Sequence, residues 1–324
     1  MNVLAKKQKS LSEENLSLEE QSKKEQEFLL EYYSLRENDE NSFWGKLSLK
    51  SRKKLHKYVL AVHKVKNYFS GFRCEVLNDK RNYTERPVIF AVTHVGKFDI
   101  EVVSEAVADH YYLLSGDFEH LQGTIEGWFL NLNGVIYFNE KVKEERRDVV
   151  ERMINHLKTG GNLMYFPEGT WNLTPNRPVL PLYWGIIEIA KRSNAVIILV
   201  AAEQYGKRFT VNIDENFDVN RYGDDKEEKI KAISDLEDIF ATLKWELWEN
   251  EPLLERKLLK GDEWDEYVEE RLKEWPYFNE EYIHGMTYKP KNVYLPEEVF
   301  APIRALEVKK DNAFLLDKRI SGRW

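Results

Sequence analysis

Thr93-His94-Val95-Gly96-Lys97-Phe98-Asp99 places an imidazole and a carboxylate five residues apart, directly after the apolar run Val88 to Val92. An imidazole that titrates near neutrality can serve as a general base. Asp99, early in a following helix, can fold back to accept the Nδ1–H of His94, fix its tautomer and stabilise the imidazolium formed when a proton is taken. Gly96 would let the loop approach a ligand closely. The plainer alternative is a packed loop histidine and a first-turn acid facing the helix dipole. A second constellation, Phe166-Pro167-Glu168-Gly169-Thr170, follows another apolar run, Leu163 to Phe166. A carboxylate followed by glycine at a strand end can hold a substrate hydroxyl, while backbone N–H groups cradle an oxyanion. Its alternative is a turn set by Pro167 and Gly169, with Glu168 solvated.

Other chemistries find no support. There is no G-x-S-x-G, Walker A, G-x-G-x-x-G or H-E-x-x-H motif, and the seven histidines form no metal-ligand spacing. One cysteine, Cys74, excludes an internal disulfide and a Cys-rich zinc site. The 324 residues carry 48 basic and 56 acidic side chains, a net charge of −8, which argues against nucleic-acid binding through bulk charge. Hydrophobic residues at 42% suffice for a sizeable core.

The elements that must position these residues alternate in type. The runs Val88 to Val92, Gly134 to Phe138, Leu163 to Phe166 and Ala195 to Ala202 suit strands buried on both faces. Helix-like stretches lie between them at Asp99 to Tyr112, Val142 to Leu157 and Leu182 to Lys191. Alternation of this kind predicts an α/β fold with a mostly parallel central sheet, here over residues 71–220. A hairpin is expected where Ile197 to Tyr205 and Arg208 to Ile213 flank Gly206-Lys207.

Residues 1–48 read as a charged, partly flexible helical segment. Residues 49–70 read as a basic amphipathic helix: seven basic residues and no acidic one lie between Lys50 and Lys66, interleaved with Leu55, Val59, Val62, Val65 and Phe69 at helical spacing. Such a helix either packs its apolar stripe on the core or lies at an anionic lipid surface, with Lys53, Lys54 and Lys57 in contact. Residues 221–324 form an acidic, helical extension, with eleven acidic and four basic side chains over 224–255 and a stripe of Ile230, Ile233, Leu236, Phe240, Leu243 and Leu247. No signal peptide or membrane-spanning run is apparent, so a cytoplasmic protein, peripheral on the cytoplasmic face of a membrane if attached, is expected.

Taken in order, His94-x4-Asp99, Gly134-Val-Ile-Tyr-Phe138 and Phe166-Pro-Glu-Gly-Thr170 resemble the first three blocks of the PlsC-type lysophospholipid and glycerolipid acyltransferases. The spacings, 134 − 99 = 35 and 168 − 134 = 34 residues, suit that layout. The resemblance covers about residues 70–215. It implies that His94 deprotonates a hydroxyl of a lipid-like acceptor, which then attacks an acyl-CoA or acyl-carrier-protein thioester, with Asp99 orienting the base. It assigns Gly134 to the acceptor pocket and acceptor binding to Glu168 and Gly169; from their place beside these motifs, Gly96, Lys97, Thr170 and Trp171 are expected as further substrate contacts. It implies no cofactor and no metal, with the thioester as co-substrate, and a membrane surface rather than nucleic acid as partner.

Three departures stand out. Glu140 and Trp171 occupy positions where the family commonly carries arginines that clasp a phosphate, and Leu199 stands where a proline is usual. These imply an acceptor other than a standard lysophosphatidate or glycerol phosphate, with Trp171 offering a flat face to a sugar or alkyl chain. Alternatively, Lys97, Lys141, Lys143 or Arg146 supplies the missing cation. A non-catalytic lipid-binding homologue and a thioester hydrolase are the alternatives to acyl transfer.

Overall fold

The computed structural model describes residues 18–140, 142–252 and 260–289, and the side chains of residues 23 onward within them. Lys141, residues 1–17 and the tail from Pro290 lie outside the described residues. The chain forms two compact units. One comprises the chain up to Ala61 together with Asp109–Leu163; the other comprises Val62–Ala108 together with the chain from Met164. These units cut across the linear boundaries expected at residues 48, 70 and 220.

The first unit holds α1 (Leu18–Asn41) and the N-terminal part of α2 (Leu49–Ser70). It continues with β3 (Tyr112–Ser115), α4 (Phe118–Leu121), α5 (Ile125–Asn133), β4 (Val135–Tyr137) and α6 (Lys143–Lys158). β3 and β4 pair in parallel, Leu113 opposite Val135. The turn between α5 and β4 is made at Gly134, where φ is +123° and an added Cβ would lie 2.3 Å from the Tyr112 ring. No other residue fits there. Arg52 is buried in this unit and donates to the carbonyls of Trp44, Gly45, Leu47, Asn131 and Leu132. Tyr32, Phe118 and Tyr137 form its aromatic core.

The second unit contains β1 (Arg73–Asp79), β2 (Val88–Val92), α3 (Asp99–Val107), β5 (Leu163–Tyr165, from Met164), α7 (Gly185–Ser193), β6 (Val196–Tyr205), β7 (Arg208–Phe217), α8 (Lys226–Glu249), α9 (Glu263–Glu274) and α10 (Glu280–Met286). Its strands lie in the order β1-β7-β6-β2-β5. β1 with β7 and β2 with β6 are parallel, and β6 with β7 antiparallel. The fold is thus the expected α/β class with a mostly parallel sheet. Every residue of β2 and β6 is buried, which is why both read as unbroken apolar runs. The Gly206-Lys207 hairpin forms as expected, with Tyr205 opposite Arg208 and Gly206 at φ +59°.

Two expectations need correction. The helix after Asp99 stops at Val107, where Ala108 takes a left-handed φ of +56°, and Tyr112 begins a strand instead. The stripe expected on α2 is not buried as a unit. Val59 is buried, but Val62, Val65 and Phe69 are exposed, Phe69 by 82%. The inward face runs instead through Arg52, His56, Val59 and Leu60, whose polar members form hydrogen bonds: Arg52 donates to backbone carbonyls, and Nδ1 of His56 lies 2.8 Å from Oδ1 of Asn133. A helical face can therefore be buried through hydrogen-bonded polar residues while its apolar neighbours face solvent.

Candidate active site

The site grows from the carboxyl end of β2. Thr93 closes the strand, its Oγ1 donating to the carbonyl of Ala202 on β6 (3.2 Å) and accepting from the Ala202 N–H (2.8 Å). His94 follows, and its Nδ1 lies 2.7 Å from Oδ2 of Asp99. The same carboxylate oxygen accepts the N–H groups of Val95 (2.9 Å) and Gly96 (3.2 Å). Asp99 is wholly buried in the first turn of α3, so one acceptor ties the loop, the helix start and the imidazole together. A negative group is favoured at that helix end. The His94 side chain keeps 17% of its surface open, and one ring face lies against Phe166 at 4.3 Å between centroids.

Glu168 joins the second motif to the first. Its Oε1 accepts the His94 N–H (3.0 Å) and its Oε2 the Leu180 N–H (2.8 Å). The His94 carbonyl in turn accepts the N–H of Asn172 (2.9 Å). The backbone of the histidine is therefore clasped from both sides by residues 74 and more positions away. Burial pushes the Glu168 carboxyl up to about 7, outweighing the backbone donors and the positive charge of Lys244 that favour its ionised form. Glu168, expected to bind the acceptor, is buried, and each of its oxygens accepts a backbone N–H of the protein. Its neighbour Gly169 is exposed at φ +73°, where an added Cβ would strike the Tyr183 ring. Thr170 is buried, and its Oγ1 has no hydrogen-bond partner among the described residues.

Gly96 and Trp171 are also closely surrounded by the protein. Space beside Gly96 is filled by the protein itself: a Cβ there would lie 3.2 Å from Oε1 of Gln204, 3.5 Å from Oε2 of Glu274 and 3.6 Å from Cδ of Arg271. Trp171 offers no open face. It is 2% exposed, edge-on to His94 at 6.1 Å and packed on Phe278 at 4.9 Å. Lys97 is half-buried, its ammonium 5.2 Å from the Phe98 ring centroid and 5.1 Å from that of Trp275. Gly134, Glu140, Lys143 and Arg146 belong to the first unit, where Arg146 donates to the Glu140 carbonyl. Lys53, Lys54 and Lys57 are exposed on α2, Lys53 donating to the Gly160 carbonyl.

Sequence reasoning missed the support behind Thr93. Glu203, at the end of β6, is buried with Lys244 of α8; Oε2 accepts from the Lys244 ammonium (2.7 Å) and from Nε1 of Trp248 (2.9 Å). Lys244 also donates to the Ala202 carbonyl that receives the Thr93 hydroxyl. One signal was available: a lysine between Phe240 and Leu247, on the apolar stripe of an otherwise amphipathic helix. Also unforeseen was the approach of the segment from α9 to α10, which brings Arg271 and Glu274 to Gly96, Trp275 to Lys97 and Phe278 to Trp171. Among the described residues no three His, Cys, Asp or Glu side chains gather to hold a metal ion.

The α/β sheet thus carries a histidine–aspartate pair at a strand end, with a Pro-Glu-Gly turn behind it. Residues 73–203 match the family model described as Acyltransferase. Among solved structures the chain is similar to the 1-acyl-sn-glycerophosphate (LPA) acyltransferase, PlsC, from Thermotoga maritima, at 16% identity and a TM-score of 0.49 over 64% of this chain and 86% of that one. No curated protein matches the chain. The matched segment takes in all three blocks, His94-x4-Asp99, Gly134 to Phe138 and Phe166 to Thr170, so the family expected from them is the one whose model this segment matches.

Proposed function

We propose that the enzyme moves a fatty acyl group from an acyl thioester, carried by coenzyme A or a carrier protein, to a hydroxyl of a lipid-like acceptor. The hydrogen bond between Nδ1 of His94 and the buried Asp99 carries this reading, because it places the proton on Nδ1 and leaves the Nε2 lone pair free. Nε2 takes the hydroxyl proton as the oxygen attacks the thioester carbonyl carbon. The resulting tetrahedral species collapses with loss of the thiolate, which recovers the proton from the imidazolium. Ester and thiol are formed, and His94 returns to its neutral state. Glu168 acts through the backbone: by clasping the His94 N–H it is a positioning residue. Thr170 remains the candidate substrate contact on that turn.

The reaction would occur at a membrane surface, against which α2 turns its outer face. Tyr58, Val62, Val65, Tyr68 and Phe69 are exposed along this helix, with Lys53, Lys54, Lys57 and Lys64 also exposed. An apolar strip bordered by cations suits the boundary between acyl chains and anionic head groups. No helix among the described residues is long and apolar enough to cross a membrane.

The test is mass spectrometry of esters formed from mixed cell lipids, with an acyl-CoA and with an acylated carrier protein as donors. His94→Ala is expected to slow ester formation by about 10²- to 10⁴-fold, the usual contribution of a general base, while the protein stays folded. Near-normal rates in that variant would end the catalytic assignment. Equal release of thiol with and without acceptor would point to hydrolysis instead.

A further inference from the structure

The most distinctive side chain near the catalytic loop is Arg271, which lies beyond the 73–203 segment that defines the family. It is 4% exposed. Its Nη2 pairs with Oε1 of Glu274 at 2.9 Å, and its guanidinium carbon stands 5.6 Å from the Tyr267 ring centroid. Nε and Nη1 are buried and have no hydrogen-bond partner among the described residues. A permanent cation with buried, unused donors is costly unless something supplies acceptors. Its Cδ would lie 3.6 Å from a Cβ added to Gly96, whose N–H shares the Asp99 oxygen that holds His94. Burial pushes the Glu274 carboxyl up from its ordinary value, and the Lys97 ammonium stands nearby, 5.1 Å from the Trp275 ring centroid.

We infer that Arg271 is a substrate-binding residue, whose guanidinium holds an anionic oxygen group, phosphate or carboxylate, of a molecule brought to His94. A guanidinium offers its donors as a planar fork that matches two oxygens of such a group, which a lysine cannot reproduce. The anion has two possible sources, the acceptor or the thioester donor, and the chemistry is the same for both. On this view α9 completes the site: it supplies a cation from outside the family segment, while Trp171 anchors the C-terminal helices through Phe278. The inference rests on the acyl-transfer reading above.

Steady-state kinetics of wild type, Arg271→Gln and Arg271→Lys test it with matched substrates. Lysophosphatidate is compared with monoacylglycerol as acceptor, and acyl-CoA with phosphate-free S-acyl pantetheine as donor. Arg271→Gln is expected to raise KM for one charged substrate by about 10- to 100-fold, the worth of a charged hydrogen bond, with its uncharged counterpart changed less than about threefold. Arg271→Lys should fall between, and the substrate that responds identifies the source. Equal losses on charged and uncharged partners, or none, would overturn the inference while leaving acyl transfer intact. Should Arg271→Gln fail to fold, the Arg271→Lys comparison decides by the same criterion. A wild type that forms no ester from any pair would overturn both readings.

Discussion

Glu168 offers the sharpest quantitative test, because its carboxyl is buried and accepts the backbone N–H of His94, the proposed general base. In the unfolded chain this group titrates at its ordinary value of 4.5; in the fold it is pushed up to about 7. The folded state therefore keeps a proton that the unfolded state has released between those values. Stability attributable to this residue falls as pH rises from 4.5 to 7 and is level beyond. At 1.36 kcal/mol per pH unit the window amounts to roughly 3 kcal/mol. Glu168→Gln removes the titration, and at every pH it also deprives the His94 or Leu180 N–H of an acceptor at a cost of about 1–3 kcal/mol. The variant should be clearly less stable than wild type at pH 4.5, with the gap closing by roughly 3 kcal/mol at pH 7.5. Urea denaturation followed by tryptophan fluorescence at four or five pH values measures the difference directly. Exchange of the His94 amide gives a local readout, since that N–H loses its acceptor in whichever rotamer the glutamine adopts to serve Leu180. Two curves that stay parallel across the window would show that Glu168 is ionised in the fold, and the reasoning from burial would be wrong.

Two further outcomes are expected. Lys244→Met leaves the Glu203 carboxylate buried without its cation and should cost about 3–5 kcal/mol, whereas adding Glu203→Gln should recover much of that loss; a double variant no better than the single one would refute the pairing. Replacing Lys53, Lys54 and Lys57 by glutamate should reduce co-sedimentation with anionic vesicles, and Phe69→Ser with Val65→Ser should reduce binding to anionic and neutral vesicles alike. Unchanged binding in both sets would return α2 to a purely structural role.

What was legible in the sequence was what is local. His94 and Asp99 lie within one turn of a loop–helix junction, so their spacing made the hydrogen bond that forms a readable candidate. β2 and β6 were visible because both faces are buried, and the hairpin because its turn needs glycine. β1 was not, since its Arg73, Glu75, Asn78 and Asp79 give no apolar run, and β3 spans only four residues. The role of Glu168 could not be read, because it depends on where the amides of His94 and Leu180 arrive in space. Trp171 read as a ligand face for want of any sign that Phe278 would cover it. Arg271 looked like one more charge on a strongly charged helix, and only packing distinguishes it from Lys273, which stays at the surface.

The clasp around the His94 backbone also has a kinetic meaning. Its partners, Glu168 and Asn172, come from the turn and loop after β5, more than seventy residues later, and Thr93 depends on Ala202, 109 residues away. Contacts so distant in sequence are slow to assemble, and none of them survives partial loss of the sheet. During refolding, turnover should therefore reappear only with the slowest structural phase of this unit, and enzyme activity serves as a reporter of complete strand assembly.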